Sequence, residues 1–251
     1  MTTETSKMLN RRTFIKSAAV AAVGTSALPG FIGNAMASTR ARHHVVIVGG
    51  GYGGATAAKY LRMWGNGAVD VTLIERNTTF VSCPMSNLVI GGIKQLEDIT
   101  VSYDNLQSKW GVKLITDEAT AIDVDKKTVT TARHGAIAWD RLVLSPGIDF
   151  LPGRIGGLEG NQERIPHAWK AGPQTVLLRK QLEAMPDGGV FAMHIPRAPY
   201  RCPPGPYERA CLVANYLRDA KPKSKVLVLD ANGEIQSKKA LFTQAFERYG
   251  A

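Results

Sequence analysis

Three glycines, one acid and two cysteines carry the chemistry this sequence offers. Gly49, Gly51 and Gly54 stand in the order G-x-G-x-x-G directly after the apolar run Val45-Val46-Ile47-Val48. In that pattern the first glycine makes a tight turn, and the second lets the backbone come close to a pyrophosphate. The third lets a helix pack tightly on its strand. The unpaired N–H groups at the start of that helix would face the phosphates. Glu75 stands 21 residues after Gly54, at the end of a second apolar run from Val69 to Ile74. A carboxylate at that strand tip accepts from a ribose hydroxyl and disfavours a 2′-phosphate, which leaves FAD or NAD as the dinucleotide.

The cysteines fall outside this unit. Cys83 lies in Cys83-Pro84-Met85-Ser86-Asn87, shortly after Glu75. Cys202 lies in a stretch with prolines at 196, 199, 203, 204 and 206, where a second dinucleotide unit would carry its own glycines. Proline removes backbone donors, so a pyrophosphate has no cradle there and NAD(P)H is not expected as the electron source. Gly205 and Pro206 suit the N-cap and first helical positions, with Glu208 at the third. A cysteine ahead of a helix N-terminus, flanked by Arg201 and with Arg209 about a turn onward, is biased toward thiolate and a redox role. Cys211, inside that helix, reads as a small core residue. Three cysteines in all provide no disulfide scaffold.

The elements that position these residues form two β-α-β units. Strands are expected at 45–48 and 69–74 around a helix at 55–64, then a helix near 104–110 and a strand at 112–116. A hairpin over 119–131 turns at Asp125-Lys126-Lys127, and a strand at 139–144 ends on Ser145-Pro146-Gly147. A β-meander inserted in a nucleotide domain, followed by a strand that ends in a glycine turn such as Pro146-Gly147, resembles the layout of FAD domains in two-dinucleotide-domain flavoproteins, where that turn packs near the flavin; the resemblance favours FAD over NAD. The second unit has helices at 174–185 and 207–219 and strands at 190–195 and 225–230. The expected fold class is therefore α/β: an FAD-binding Rossmann-like domain with a β-meander insertion over residues 38–155. A second, incomplete nucleotide-domain-like β-α-β unit occupies residues 156–251.

Residues 10–16, with Arg11-Arg12 followed by Thr13, Phe14, Ile15 and Lys16, precede a short apolar stretch and Ala35-Met36-Ala37. This is the layout of a twin-arginine signal peptide over residues 1–37, which places the mature chain in the periplasm. The apolar stretch is broken by Gly24, Pro29 and Gly30, so no stable membrane insertion is expected. The chain has 251 residues, 44% hydrophobic and 21% charged, and a net charge of +10 without a long basic run. Ordinary globular composition and the lack of aromatic–basic interleaving speak against disorder and nucleic-acid binding. No metal site is expected.

The stretches Gly49–Tyr60, Cys83–Gly92, Pro166–Gly172 and Arg201–Ala210 resemble the flavoprotein subunits of flavocytochrome c sulfide dehydrogenases. The resemblance implies FAD joined by a thioether to Cys83 and Cys202 as one half of a redox-active disulfide. It also implies a c-type cytochrome partner subunit and oxidation of sulfide to sulfur or polysulfide. In the family the second redox cysteine lies in a later segment, so this sequence is expected to be truncated at its C-terminal side. The alternatives are a sulfide:quinone oxidoreductase-like flavoenzyme and a non-catalytic flavin-binding accessory protein. His167 and Trp169 belong to the family-like motif without a role derivable from the residues.

Overall fold

A computed structural model describes residues 42–250, and the signal segment read over residues 1–37 lies outside the described residues. The first β-α-β unit is built from β1 (His43–Val48), α1 (Tyr52–Trp64) and β2 (Val69–Glu75). These strands pair in parallel, with His43 opposite Val69 and Val48 opposite Ile74. With β5 (Lys113–Thr116) and β9 (Arg141–Leu144) they make a four-stranded sheet in the order β5-β2-β1-β9. The central strands are apolar on both faces because both faces are covered. Val45, Ile47, Val71 and Leu73 pack against Ala58 of α1 and Tyr103, with Leu106 and Trp110 beside them. On the other face Val46, Ile74 and Ile115 meet Val129 and Ile137 of an antiparallel meander. That meander comprises β6 (Ala119–Asp123), β7 (Thr128–Thr131) and β8 (Gly135–Ala138).

Between β2 and β5 the chain makes a small antiparallel pair, β3 (Thr79–Val81) with β4 (Thr100–Ser102). It also forms two short helices, α2 (Ser86–Ile90) and α3 (Asp104–Ser108). The second unit contains α4 (Pro173–Ala184), β10 (Val190–Ile195), α5 (Gly205–Ala220) and β11 (Lys225–Asp230), with β10 and β11 paired in parallel. A further helix, α6 (Lys239–Tyr249), completes it. Its core gathers Leu178, Leu182, Met193, Ile195, Tyr207, Val213, Leu217, Val226 and Phe242.

Three details differ from the sequence reading. Helix α1 starts at Tyr52, directly on the glycine loop, rather than at Ala55. The N-cap of α5 is Pro204, so Gly205 and Pro206 are its first two helical residues, one position earlier than expected. Within β1, His44 Nε2 hydrogen-bonds Thr72 Oγ1 at 2.8 Å. Helix α6, which the sequence reading did not anticipate, carries no side-chain cap at its start, where Lys238 adopts a left-handed φ of 51°.

Candidate functional site

The glycine loop is shaped by close approach. Gly49 has φ +96°, and a Cβ there would lie 2.1 Å from the Ser145 carbonyl oxygen. The loop is thus pressed onto the Ser145-Pro146 turn that ends β9, and the Ser145 N–H donates to the Val48 carbonyl at 2.8 Å. A Cβ on Gly54 would stand 1.8 Å from the Gly49 carbonyl oxygen, so α1 crosses the strand end at backbone contact. Gly51 is the opposite case: the nearest atom to its Cβ position is Phe80 Cε2 at 4.0 Å. Open space therefore stands over the N-terminus of a 13-residue helix with no acid in its first turn. That is room for an anion to lie on the N–H groups. Gly147, φ +77°, also faces open space. Glu75 Oε2 accepts from the Gly50 N–H at 2.6 Å, and Oε1 accepts from the N–H and side-chain amide of Asn77 at 2.9 and 2.7 Å. The cradle, the strand-tip carboxylate and the space above Gly51 fit a dinucleotide such as FAD, and the residues that would hold it are Gly49, Gly51, Gly54 and Glu75.

The loop connects directly to Cys83. Tyr52, the first residue of α1, sets its ring edge-on to Phe80 at 4.9 Å between centroids, and its hydroxyl lies 2.6 Å from Ser82 Oγ. Strand β3 thereby delivers Cys83 beside the cradle. The Cys83 thiol is exposed and donates to the Trp169 carbonyl oxygen at 2.9 Å. Cys202 is also exposed and sits at φ +55°, a left-handed conformation that non-glycine residues seldom adopt and that stores strain. Its sulfur lies over Gly205: a Cβ on that glycine would be 3.2 Å from Cys202 Sγ and 3.5 Å from Trp169 Cζ3. Trp169 is therefore the common neighbour of both cysteine sites, through its carbonyl on one side and its indole edge on the other. Cys211 is half-buried against the second core, and burial with the nearby charge of Glu208 pushes its thiol up.

Arg209 holds this arrangement from beneath. Its guanidinium, 2% exposed, stacks on the Trp169 ring at 3.4 Å. It donates to Asn87 Oδ1 at 2.9 Å, to the His167 carbonyl at 2.8 Å and to the Ala168 carbonyl at 2.6 Å. Every acceptor is neutral. Burial pulls the guanidinium down to about 9, against the opposing influence of Cys83 and Glu208. The sequence reading used Arg209 as a charge beside Cys202; in the fold it is a buried bracket joining α5, the 167–169 strap and the helix that follows Cys83. His167 stacks on Phe150 at 3.9 Å, and its Nδ1 accepts from the Trp169 N–H at 3.1 Å. Burial and then the charge of Arg209 lower its pKa, so its ring is neutral near pH 7 with the proton on Nε2. Asn87 was missed by the sequence reading because an amide in a short loop helix carries no local signal. Among the described residues no cluster of His, Cys, Asp and Glu could hold a metal ion.

A family model described as pyridine nucleotide-disulphide oxidoreductase matches residues 43–181. A second, described as the central part of the sulfide dehydrogenase [flavocytochrome c] flavoprotein chain, matches residues 175–251. The sulfide dehydrogenase [flavocytochrome c] flavoprotein chain of Chlorobaculum thiosulfatiphilum is 58% identical over 45 residues, which are 18% of this chain and 92% of that one. The sulfide-quinone reductase of Aquifex aeolicus (strain VF5) is 36% identical over 122 residues, 48% of this chain and 27% of that one. Among solved structures, the sulfide:quinone oxidoreductase of Aquifex aeolicus superposes with a TM-score of 0.66 at 25% identity. The match covers 82% of this chain and 49% of that chain, so this sequence spans about half the length of that relative.

Proposed function

Because the chain belongs to the pyridine nucleotide-disulphide oxidoreductases, and among them to the flavoprotein chains of flavocytochrome c sulfide dehydrogenases, we propose that it serves FAD-dependent oxidation of sulfide with a c-type cytochrome subunit as electron acceptor. The observation that carries this reading is that Cys83 bonds the Trp169 carbonyl while Gly205, in the turn that carries Cys202, borders the Trp169 ring, with Cys83 following the Ser82 that Tyr52 of the glycine loop's helix hydrogen-bonds. In this reading Cys83 holds FAD covalently through a thioether, and Cys202 accepts the sulfur. Held in a disulfide with a second cysteine, Cys202 is attacked by hydrosulfide. The S–S bond breaks, Cys202 carries the new sulfur as a persulfide, and the partner leaves as thiolate. The exposed, strained position of Cys202 suits such an exchange. FAD, when bound, supplies the conversion of a two-electron donor to one-electron transfer into haem. Export by the twin-arginine route to the periplasm, as the residues of positions 10–37 suggest, would let the protein leave the cytoplasm already folded around its cofactor.

The test uses the protein purified from its own host. A denaturing gel is expected to show flavin fluorescence on this protein, and none on the Cys83→Ser variant. A non-fluorescent band of the detected protein removes the thioether. Anaerobic sulfide is expected to bleach the flavin absorption, and a c-type cytochrome to restore it. Restoration by a quinone alone favours the sulfide:quinone reading supported by the Aquifex likeness, and no bleaching leaves a flavin-binding accessory protein. Among the described residues no helix is long and apolar enough to cross a membrane.

A further inference from the structure

The glycine fingerprint leaves the residue between its first two glycines free, yet here that residue is also glycine, and its peptide is gripped on both sides. The Gly50 N–H donates to Glu75 Oε2 at 2.6 Å, and the Gly50 carbonyl accepts from the hydroxyl of Tyr103 at 2.9 Å. Tyr103 is 4% exposed and reaches the loop from the segment between β4 and α3. A Cβ on Gly50 would stand 2.6 Å from Tyr103 Oη and 3.0 Å from Glu75 Cγ, so the close fit of phenol, peptide and carboxylate requires glycine here. We propose that Tyr103 is a positioning residue for the dinucleotide: it fixes the Gly50 peptide, and through it the Glu75 carboxylate, in the binding orientation before the ligand arrives. Burial and the neighbouring Glu75 charge push the phenol well above its usual range, so the hydroxyl stays a donor at any working pH. A loop already held in its bound geometry spares the ordering entropy that a slack loop spends on binding. Glu75 needs this help because both its oxygens are engaged within the protein, and only a fixed carboxylate can still present its remaining lone pairs to two ribose hydroxyls.

The inference rests on FAD being the ligand, and its test separates the two. In a Cys83→Ser background, which leaves FAD free to exchange, FAD affinity is measured by quenching of flavin fluorescence at a temperature where the protein is folded. Tyr103→Phe removes one hydroxyl and is expected to weaken FAD about tenfold, the loss of one buried hydrogen bond. A Tyr103 that merely stabilises the fold would lower the unfolding temperature and leave the affinity of the folded protein unchanged, and that result overturns the proposal. Absence of FAD, covalent or free, from the protein that retains Cys83 overturns the cofactor reading instead, and the inference with it. A readout without any variant at Tyr103 is hydrogen exchange at the Gly50 amide of the flavin-free protein. Slow exchange is expected before FAD is added; fast exchange that slows only on FAD addition sinks the idea of a preformed loop.

Discussion

Asp117 illustrates how one side chain secures a turn next to the sheet. Its carboxylate, buried at 4% exposure, accepts from the N–H groups of Glu118 and Arg133 at 2.8 and 2.9 Å. It also accepts from the His134 backbone N–H at 3.1 Å and faces His134 Nδ1 at 2.7 Å. Burial opposes its ionisation, but these hydrogen bonds outweigh burial and hold the carboxyl well below the usual carboxylate range. An unfolded aspartate titrates near about 3.9. The folded pKa is depressed, so the network stabilises the fold above that pH, and the stabilisation is lost as pH falls toward the folded value. The Asp117→Asn variant is expected to unfold more readily at pH 7 and to show a flatter loss of stability between about pH 5 and pH 2. Chemical denaturation across that range measures it, and parallel curves for the two proteins would refute it. At this scale the sequence was most legible where function rests on adjacent residues. Gly49, Gly51, Gly54 and Glu75 announce a cradle because turn, helix start and strand tip are consecutive. Tyr103 and Asn87 were invisible because their partners lie 53 and 122 residues away, and no local pattern encodes such pairings.

Among the elements, α5 has the most demanding job. It begins in a proline-rich turn beside Cys202, buries Tyr207, Val213 and Leu217 in the second core, and sends Arg209 under the strap of residues 167–169. The helix was legible in the sequence, and its cap was one residue off because three prolines in four positions obscure it. What its inner face meets was not legible, since a basic residue beside a cysteine suggests an electrostatic role before a packing one. Arg209→Met keeps the aliphatic stem but leaves Asn87 Oδ1, the buried Ala168 carbonyl and the half-buried His167 carbonyl without a donor. The expected cost is about 3 kcal/mol in urea denaturation, from unpaired buried acceptors at roughly 1–3 kcal/mol each. Lysine retains the charge without the planar fork and should recover only part of that loss. A variant as stable as the parent would mean that water or a rearranged strap satisfies these groups.

Across the molecule, the boundary drawn near residue 155 from composition does not describe how the cores are shared. Ile90 of α2, fully buried, packs in the second core with Leu178, Tyr207 and Val213, although the strand and glycine loop that precede it belong to the first. The segment carrying Cys83 is thus anchored to later sequence, through Ile90 and through Asn87 to Arg209. Composition marks where linkers run, whereas interlocking of two cores depends on pairings that only the folded chain reveals. This interlocking imposes a timetable on biosynthesis. Arg209 follows Asn87 by 122 residues, which at ordinary translation speeds is a delay of roughly 6–25 s. Through that interval the Cys83 peptide lacks the Arg209 bracket, while the glycine cradle behind it already has β2 as a sheet partner and gains β9 before the strap is made. The thiol is therefore expected to react with a maleimide in ribosome-stalled chains that end before residue 205, and to slow markedly once α5 has emerged. Equal labelling at both lengths would show that the peptide orders itself. A cofactor tether formed on this cysteine would accordingly be a late event in the life of the chain, set only once α5 has emerged and docked on the segment that carries it.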